Sequence, residues 1–169
     1  MSSAAFCFLT LFSGIIVQMF FRISGIYLPA TTLCVFYLAV AYGPRIGVLC
    51  GLAAGIVIFC LCGAVNWDLL LIPPAIALLG AWWPHHSEVQ HPLRSFLPGI
   101  CVASVTAFIS LIQVADFGSL GIAASYLALA AISGGILLPT IVWGLDKIAK
   151  RCGTPMYQAA RIRIMKQDR

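Results

Sequence analysis

Charge is what this chain has least of. Only 9% of its 169 residues are Asp, Glu, Lys or Arg, against about 25% in an ordinary soluble domain. Acidic residues number five: Asp68, Glu88, Asp116, Asp146 and Asp168. So few charges cannot cover a water-facing surface, and a soluble globular domain is excluded. Catalytic signatures are missing too. No phosphate-cradling glycine loop, no H-E-x-x-H and no nucleophile with a base and an orienting partner occurs. The long apolar runs carry no Asp, Glu, Lys or Arg at depth, and such groups are the usual mark of ion pathways and proton relays. A pump, a proton-coupled carrier and an enzyme are therefore not expected, and no cofactor is implied.

Cysteine is plentiful but unpatterned. Seven are present, Cys7, Cys34, Cys50, Cys60, Cys62, Cys101 and Cys152, an odd number with no C-x-x-C pair. They read as small buried hydrophobes rather than a disulfide framework. Cys60 and Cys62 point to different sides of a helix. Histidine is confined to PHHSEVQHPLRS, residues 84–95, where His85, His86, His91 and Glu88 lack a zinc spacing. No metal site is expected there. The first 21 residues contain no Lys or Arg, so the basic n-region of a cleaved signal is missing and a retained span is expected.

What the chain does have is apolar length. It is 62% hydrophobic, with a mean hydropathy of +1.02. The expected fold is an all-α integral membrane protein, about six helices in one compact bundle over residues 1–149, followed by a basic cytoplasmic tail over 150–169. The organising stretch is Tyr42 to Gly63. Gly43-Pro44 signals a turn, Arg45 follows, and 20 uncharged residues run from Ile46 to Val65. At a helical rise that is about 30 Å, a bilayer's hydrocarbon thickness. Gly47, Gly51 and Gly55 recur every fourth residue, forming one stripe where a helix of this bundle or of a partner can approach closely.

The other expected spans are about Ala4–Phe21, Tyr27–Tyr42, Leu69–Trp83, Phe96–Val114 and Leu120–Leu145. Gln18, near the end of the first, faces another helix or the interface. The second is short for a bilayer, with Pro29 at its head and Thr31 and Thr32 able to bond back to their own helix. Pro73-Pro74 should break or kink the fourth. Gly134-Gly135 and Pro139 should loosen the last. Thr154-Pro155 reads as the start of a short helix, with Tyr157, Ala160 and Ile164 on one face. That helix would lie on the membrane surface or in solvent.

Seven of the ten Lys and Arg fall in the last 24 residues: Lys147, Lys150, Arg151, Arg161, Arg163, Lys166 and Arg169. With six spans these share a side with Arg45 and Arg94, and Arg22 stands alone opposite. This positive-inside bias puts both termini in the cytoplasm. It also makes Lys147, Lys150, Arg151, Arg161, Arg163 and Lys166 candidates for contact with a cytoplasmic partner or anionic lipid. Nucleic acid is not an expected partner.

From Leu28 to Gly63 the order is a Pro-headed helix (LPATTLCVFYLAVAY), a small turn with a basic residue (GPRIG) and a glycine-stepped helix (GVLCGLAAG). This resembles the rod-shape-determining protein MreD family of bacterial inner-membrane proteins. Gln18 and the short loops are also similar. The family often carries an acid toward the end of the glycine-stepped helix, where this chain reads Ile58-Phe59-Cys60-Leu61-Cys62. The resemblance implies a multi-pass, non-catalytic scaffold of the cell-wall elongation complex, working with an MreC-like bitopic protein to maintain cell shape. The alternative is a substrate-binding S component of an energy-coupling-factor vitamin transporter, similar in span number and size. Its ligand cavity would draw on Thr31, Thr32, Asn66, Asp68, Gln113 and Asp116.

Overall fold

A computed structural model describes residues 2–23, 28–62, 68–86, 96–114 and 120–167. Ser24-Gly25, Asn66-Trp67 and Asp116-Phe117-Gly118, between the expected spans, lie outside the described residues, as do Glu88, His91 and Arg94 of the polar loop. All regular structure among the described residues is helical: α1 (Ser3–Ile23), α2 (Ala30–Tyr42), α3 (Pro44–Leu61), α4 (Asp68–His86), α5 (Phe96–Val114), α6 (Leu120–Cys152) and α7 (Tyr157–Gln167).

Among the described residues, three helical stretches are long and apolar enough to cross a membrane: Ser3–Ile23, Pro44–Leu61 and Ala123–Cys152. Three more, α2, α4 and α5, have shorter apolar stretches, Ala30–Tyr42, Leu70–Pro84 and Phe96–Ile112. The outer faces of the bundle carry large exposed apolar side chains, among them Phe8, Phe12 and Phe20 on α1, Leu49 on α3 and Phe108 on α5. A water-soluble protein would bury such residues, and a lipid-facing surface exposes them.

The bundle is built around α2. Every residue from Ala30 to Ala41 is buried. A helix apolar on all sides suits a position with neighbours on all sides. Its 13 residues reach only about 20 Å. Gly43 ends it at φ 91°, a conformation favouring glycine, and its N–H donates to the Ala39 carbonyl. Pro44 then opens α3 in the first turn, where a missing N–H costs least.

Four neighbours meet α2 through named residues. On α1, Gly14 lies against Cys34 and Thr31. On α3, Gly47 lies on Ala39, and a Cβ there would come within 2.5 Å of the Ala39 Cβ. On α4, Gly80 lies against Phe36 and Ala39. On α7, Tyr157 stacks on Tyr37, ring centroids 5.7 Å apart. α5 joins the bundle chiefly through α6. Gly99 and Gly134 cross so closely that a Cβ on Gly134 would overlap Ala103 and the Gly99 carbonyl.

The break expected at Pro73-Pro74 is corrected: α4 is one continuous helix with both prolines inside it, and a neighbouring helix occupies the space beside their defect, as described below. α6 likewise runs through Gly134, Gly135 and Pro139, and Gly134 lies at the crossing with α5. α6 itself extends to Cys152.

Candidate functional site

Two places draw the polar and small residues of this apolar chain together. The first is the glycine seam between α3 and α4. Gly47, Gly51 and Gly55 are all buried, and all three face the protein's own bundle. A Cβ on Gly51 would stand 2.8 Å from the Pro74 Cα and 2.9 Å from the Pro73 carbonyl oxygen. On Gly55 it would stand 2.6 Å from the Leu70 carbonyl oxygen. That oxygen is the one Pro74 leaves without a helical donor, since proline has no N–H to give residue i−4. The glycine lets the α3 backbone come close enough for a Cα–H to face it. The di-proline and the glycine stripe therefore compensate each other across the helix pair.

The second is a polar knot at the Tyr42 end of α2. Asp146, half-buried on α6, accepts three hydrogen bonds. One comes from the Tyr37 hydroxyl at 2.8 Å, one from the Tyr157 N–H at 2.8 Å and one from the Gln158 N–H at 3.2 Å. The last two are unpaired donors at the start of α7, so a carboxylate from α6 caps α7. Negative charge there also complements the positive end of the helix. Thr154, read from the sequence as the start of this helix, instead closes α6. Gly153 takes φ 66°, and the Thr154 N–H reaches back to the Ala149 carbonyl at 3.0 Å. This is the glycine-terminated Schellman arrangement.

Tyr157 is 1% exposed, wedged against Phe36 and Tyr37. Burial pushes its phenol from an ordinary 10.0 up to about 12; the nearby Arg161 charge opposes the rise and Asp146 adds to it. α7 is thus docked on the bundle, not free in solvent. Ala160 and Ile164 share its less exposed side with Tyr157.

The candidate basic residues are divided between α6 and α7. Lys147, Lys150 and Arg151 are exposed on α6, and Arg163 is exposed on α7. Arg161 is half-buried in α7. Lys166 belongs to α7. The Lys147 ammonium lies 5.0 Å from the ring centre of Trp143.

Gln18 does face another helix. Its side-chain oxygen accepts the Thr31 N–H at 3.0 Å, capping α2 from α1. Thr32 bonds back to the Pro29 carbonyl at 2.8 Å. The Thr31 hydroxyl is buried and has no hydrogen-bond partner among the described residues. Both threonines are thus packed inside the bundle, while Asn66 and Asp116 lie outside the described residues. Among the described residues no group of three or more His, Cys, Asp or Glu side chains converges to hold a metal ion. Sequence reasoning missed Asp146, Tyr37 and Gly99. Asp146 had one available signal: it is an acidic residue where an apolar run meets a basic one.

The class these features define is an all-helical protein with membrane-type helices around a buried central helix. No family model matches the chain, and no curated protein and no solved structure matches it.

Proposed function

We propose that this chain is a non-catalytic membrane scaffold of the bacterial cell-wall elongation complex, resembling the MreD family and acting in cell-shape maintenance. The supporting observation is where the resemblance falls. The stretch beginning at Leu28 contains α2, the helix buried on every side, and α3, whose glycines dock on α2 and α4. The similar residues are thus those that organise the bundle, leaving its lateral faces for partners. In this reading α1 to α6 all traverse the inner membrane, the shorter ones within a locally thinned or slanted arrangement. Both termini are cytoplasmic, on the side of Arg45 and the α6 basic end. An MreC-like bitopic protein and, through it, the wall-synthesis machinery are the partners.

The test is affinity purification of the tagged protein from its native membrane in mild detergent, with mass spectrometry of what accompanies it. Recovery of an MreC-like protein with wall-elongation enzymes supports the scaffold. Recovery of a transport module with ATPase subunits overturns it in favour of an S component.

A further inference from the structure

α6 carries a graded stripe down one exposed side. Ile132, Ile136, Thr140, Trp143, Lys147 and Arg151 recur every three or four residues, and all six are exposed. Lys150 is exposed beside them, one turn past Lys147. Side chains at i+3 and i+4 lie on one helix face. The order along that face is aliphatic, then aromatic, then cationic.

The lengths match a bilayer. From Leu120, where α6 begins, to Trp143 the helix rises about 35 Å, enough to cross a hydrocarbon core of about 30 Å. Lys147 stands about 6 Å beyond Trp143, within the depth of one headgroup layer, and Arg151 about 12 Å, just past it. Trp143 is 67% exposed and its ring is covered by the Lys147 ammonium. A tryptophan with a cation on its outward side is the side-chain pairing favoured at a membrane interface.

The other side of the same helix end is already committed. Asp146 turns to Tyr37 and the start of α7, and Ala149 is buried. Asp146 therefore answers the α7 amides and leaves the three cations of the outer stripe without an acidic partner on α6.

We propose that Lys147, Lys150 and Arg151, with Trp143 beneath them, form a binding site for the headgroup of an anionic phospholipid. The cations hold the phosphate and Trp143 sits at the glycerol level, against the acyl-chain boundary. Charge complementarity and the aliphatic stripe leading up to the site commit it to a lipid rather than to a soluble anion, which would have no use for Ile132 and Ile136. The proposal does not depend on the scaffold reading.

Native mass spectrometry of the full chain in mild detergent tests it, with dioleoylphosphatidylglycerol and dioleoylphosphatidylcholine added in equal amounts. The wild type is expected to retain the anionic lipid preferentially. Each basic residue near a charged headgroup contributes roughly five-fold in affinity. The triple variant Lys147→Gln, Lys150→Gln, Arg151→Gln is therefore expected to lose at least tenfold of the preference. Lys147→Arg with Lys150→Arg should keep it, and Arg22→Gln at the opposite end of the bundle should leave it unchanged. Raising the ammonium acetate concentration on the wild type should weaken it, a readout that does not need the triple variant to fold. Equal retention of both lipids by the wild type, or an unchanged preference in a folded triple variant, overturns the proposal. So does a triple variant that keeps its lipid but sheds a co-purifying acidic protein.

Discussion

The Tyr37 hydroxyl donates a 2.8 Å hydrogen bond to Asp146, a residue 109 positions further along the chain. Tyr37 sits on the fully buried helix α2 and Asp146 on the longest helix, α6. The same carboxylate caps α7, whose first residue stacks on the Tyr37 ring. One acidic group thus ties the central helix, the last apolar helix and the basic C-terminal helix together.

Removing that group should loosen the end of the bundle. Asp146→Ala leaves a buried phenol and two α7 amides without their acceptor, at a cost of about 2–4 kcal/mol. Asp146→Asn keeps one acceptor oxygen and should cost less, about 1 kcal/mol. Thermal unfolding of the purified protein in detergent measures both. Limited proteolysis should show early cleavage near Gly153 in the alanine variant as α7 detaches. Equal stability of the two variants would mean that the carboxylate is not holding these donors.

The glycine seam makes a paired prediction. Gly55→Ala places a methyl against the Leu70 carbonyl, which belongs to backbone and cannot rotate away, so a loss of about 1–3 kcal/mol is expected. Gly144 lies in α6 with nothing within 4 Å of an added Cβ. Gly144→Ala should therefore be neutral or stabilising by up to about 1 kcal/mol. If both substitutions shift the melting temperature alike, close packing at Gly55 is not what the glycine provides.

Tyr157 gives an alkaline signature. Its phenol titrates at about 12 in the folded chain against an ordinary 10.0, because burial disfavours the phenolate. A group whose pKa is raised on folding binds its proton more tightly in the folded state. Its contribution is complete below pH 10.0 and is lost as pH climbs toward about 12. Melting temperature should therefore fall over that window. Tyr157→Phe should flatten the fall while leaving the neutral-pH packing nearly intact. An alkaline limb identical in the two proteins would assign the pH dependence to other groups.

Gln18 should matter more than an ordinary polar residue on a hydrophobic helix. Its side chain caps α2 by accepting the Thr31 N–H. Gln18→Leu should cost about 1 kcal/mol, and Gln18→Glu, which keeps an acceptor, should cost less if the carboxylate stays hydrated at the helix end. Circular dichroism melts separate these outcomes. No loss in the leucine variant would show that Thr31 finds another acceptor.

The sequence by itself determined the helices and their setting. Apolar runs with almost no charge leave the backbone no partner but itself once water is excluded, so they must be helical. The bounds of α5 and the Gly43-Pro44 junction followed from local composition, since Gly and Pro act on the residues beside them. The resemblance over Leu28 to Gly63 also rested on local order. Tertiary structure decided everything that depends on which face meets which. The stripe at Gly47, Gly51 and Gly55 is visible as a period, but a period cannot say whether the neighbour belongs to the same chain; Ala39, Pro73 and Leu70 answer that only in space. Pro73-Pro74 reads as a break because local rules count the lost hydrogen bonds and cannot count the glycine packed beside them. Asp146 reads as the end of a span, since neither Tyr37 nor the docked α7 is near it in apolar pattern. Helix formation in an apolar medium is a short-range property of the chain, while the pairing of a buried carboxylate, a phenol and a helix end depends on contacts between residues far apart in it.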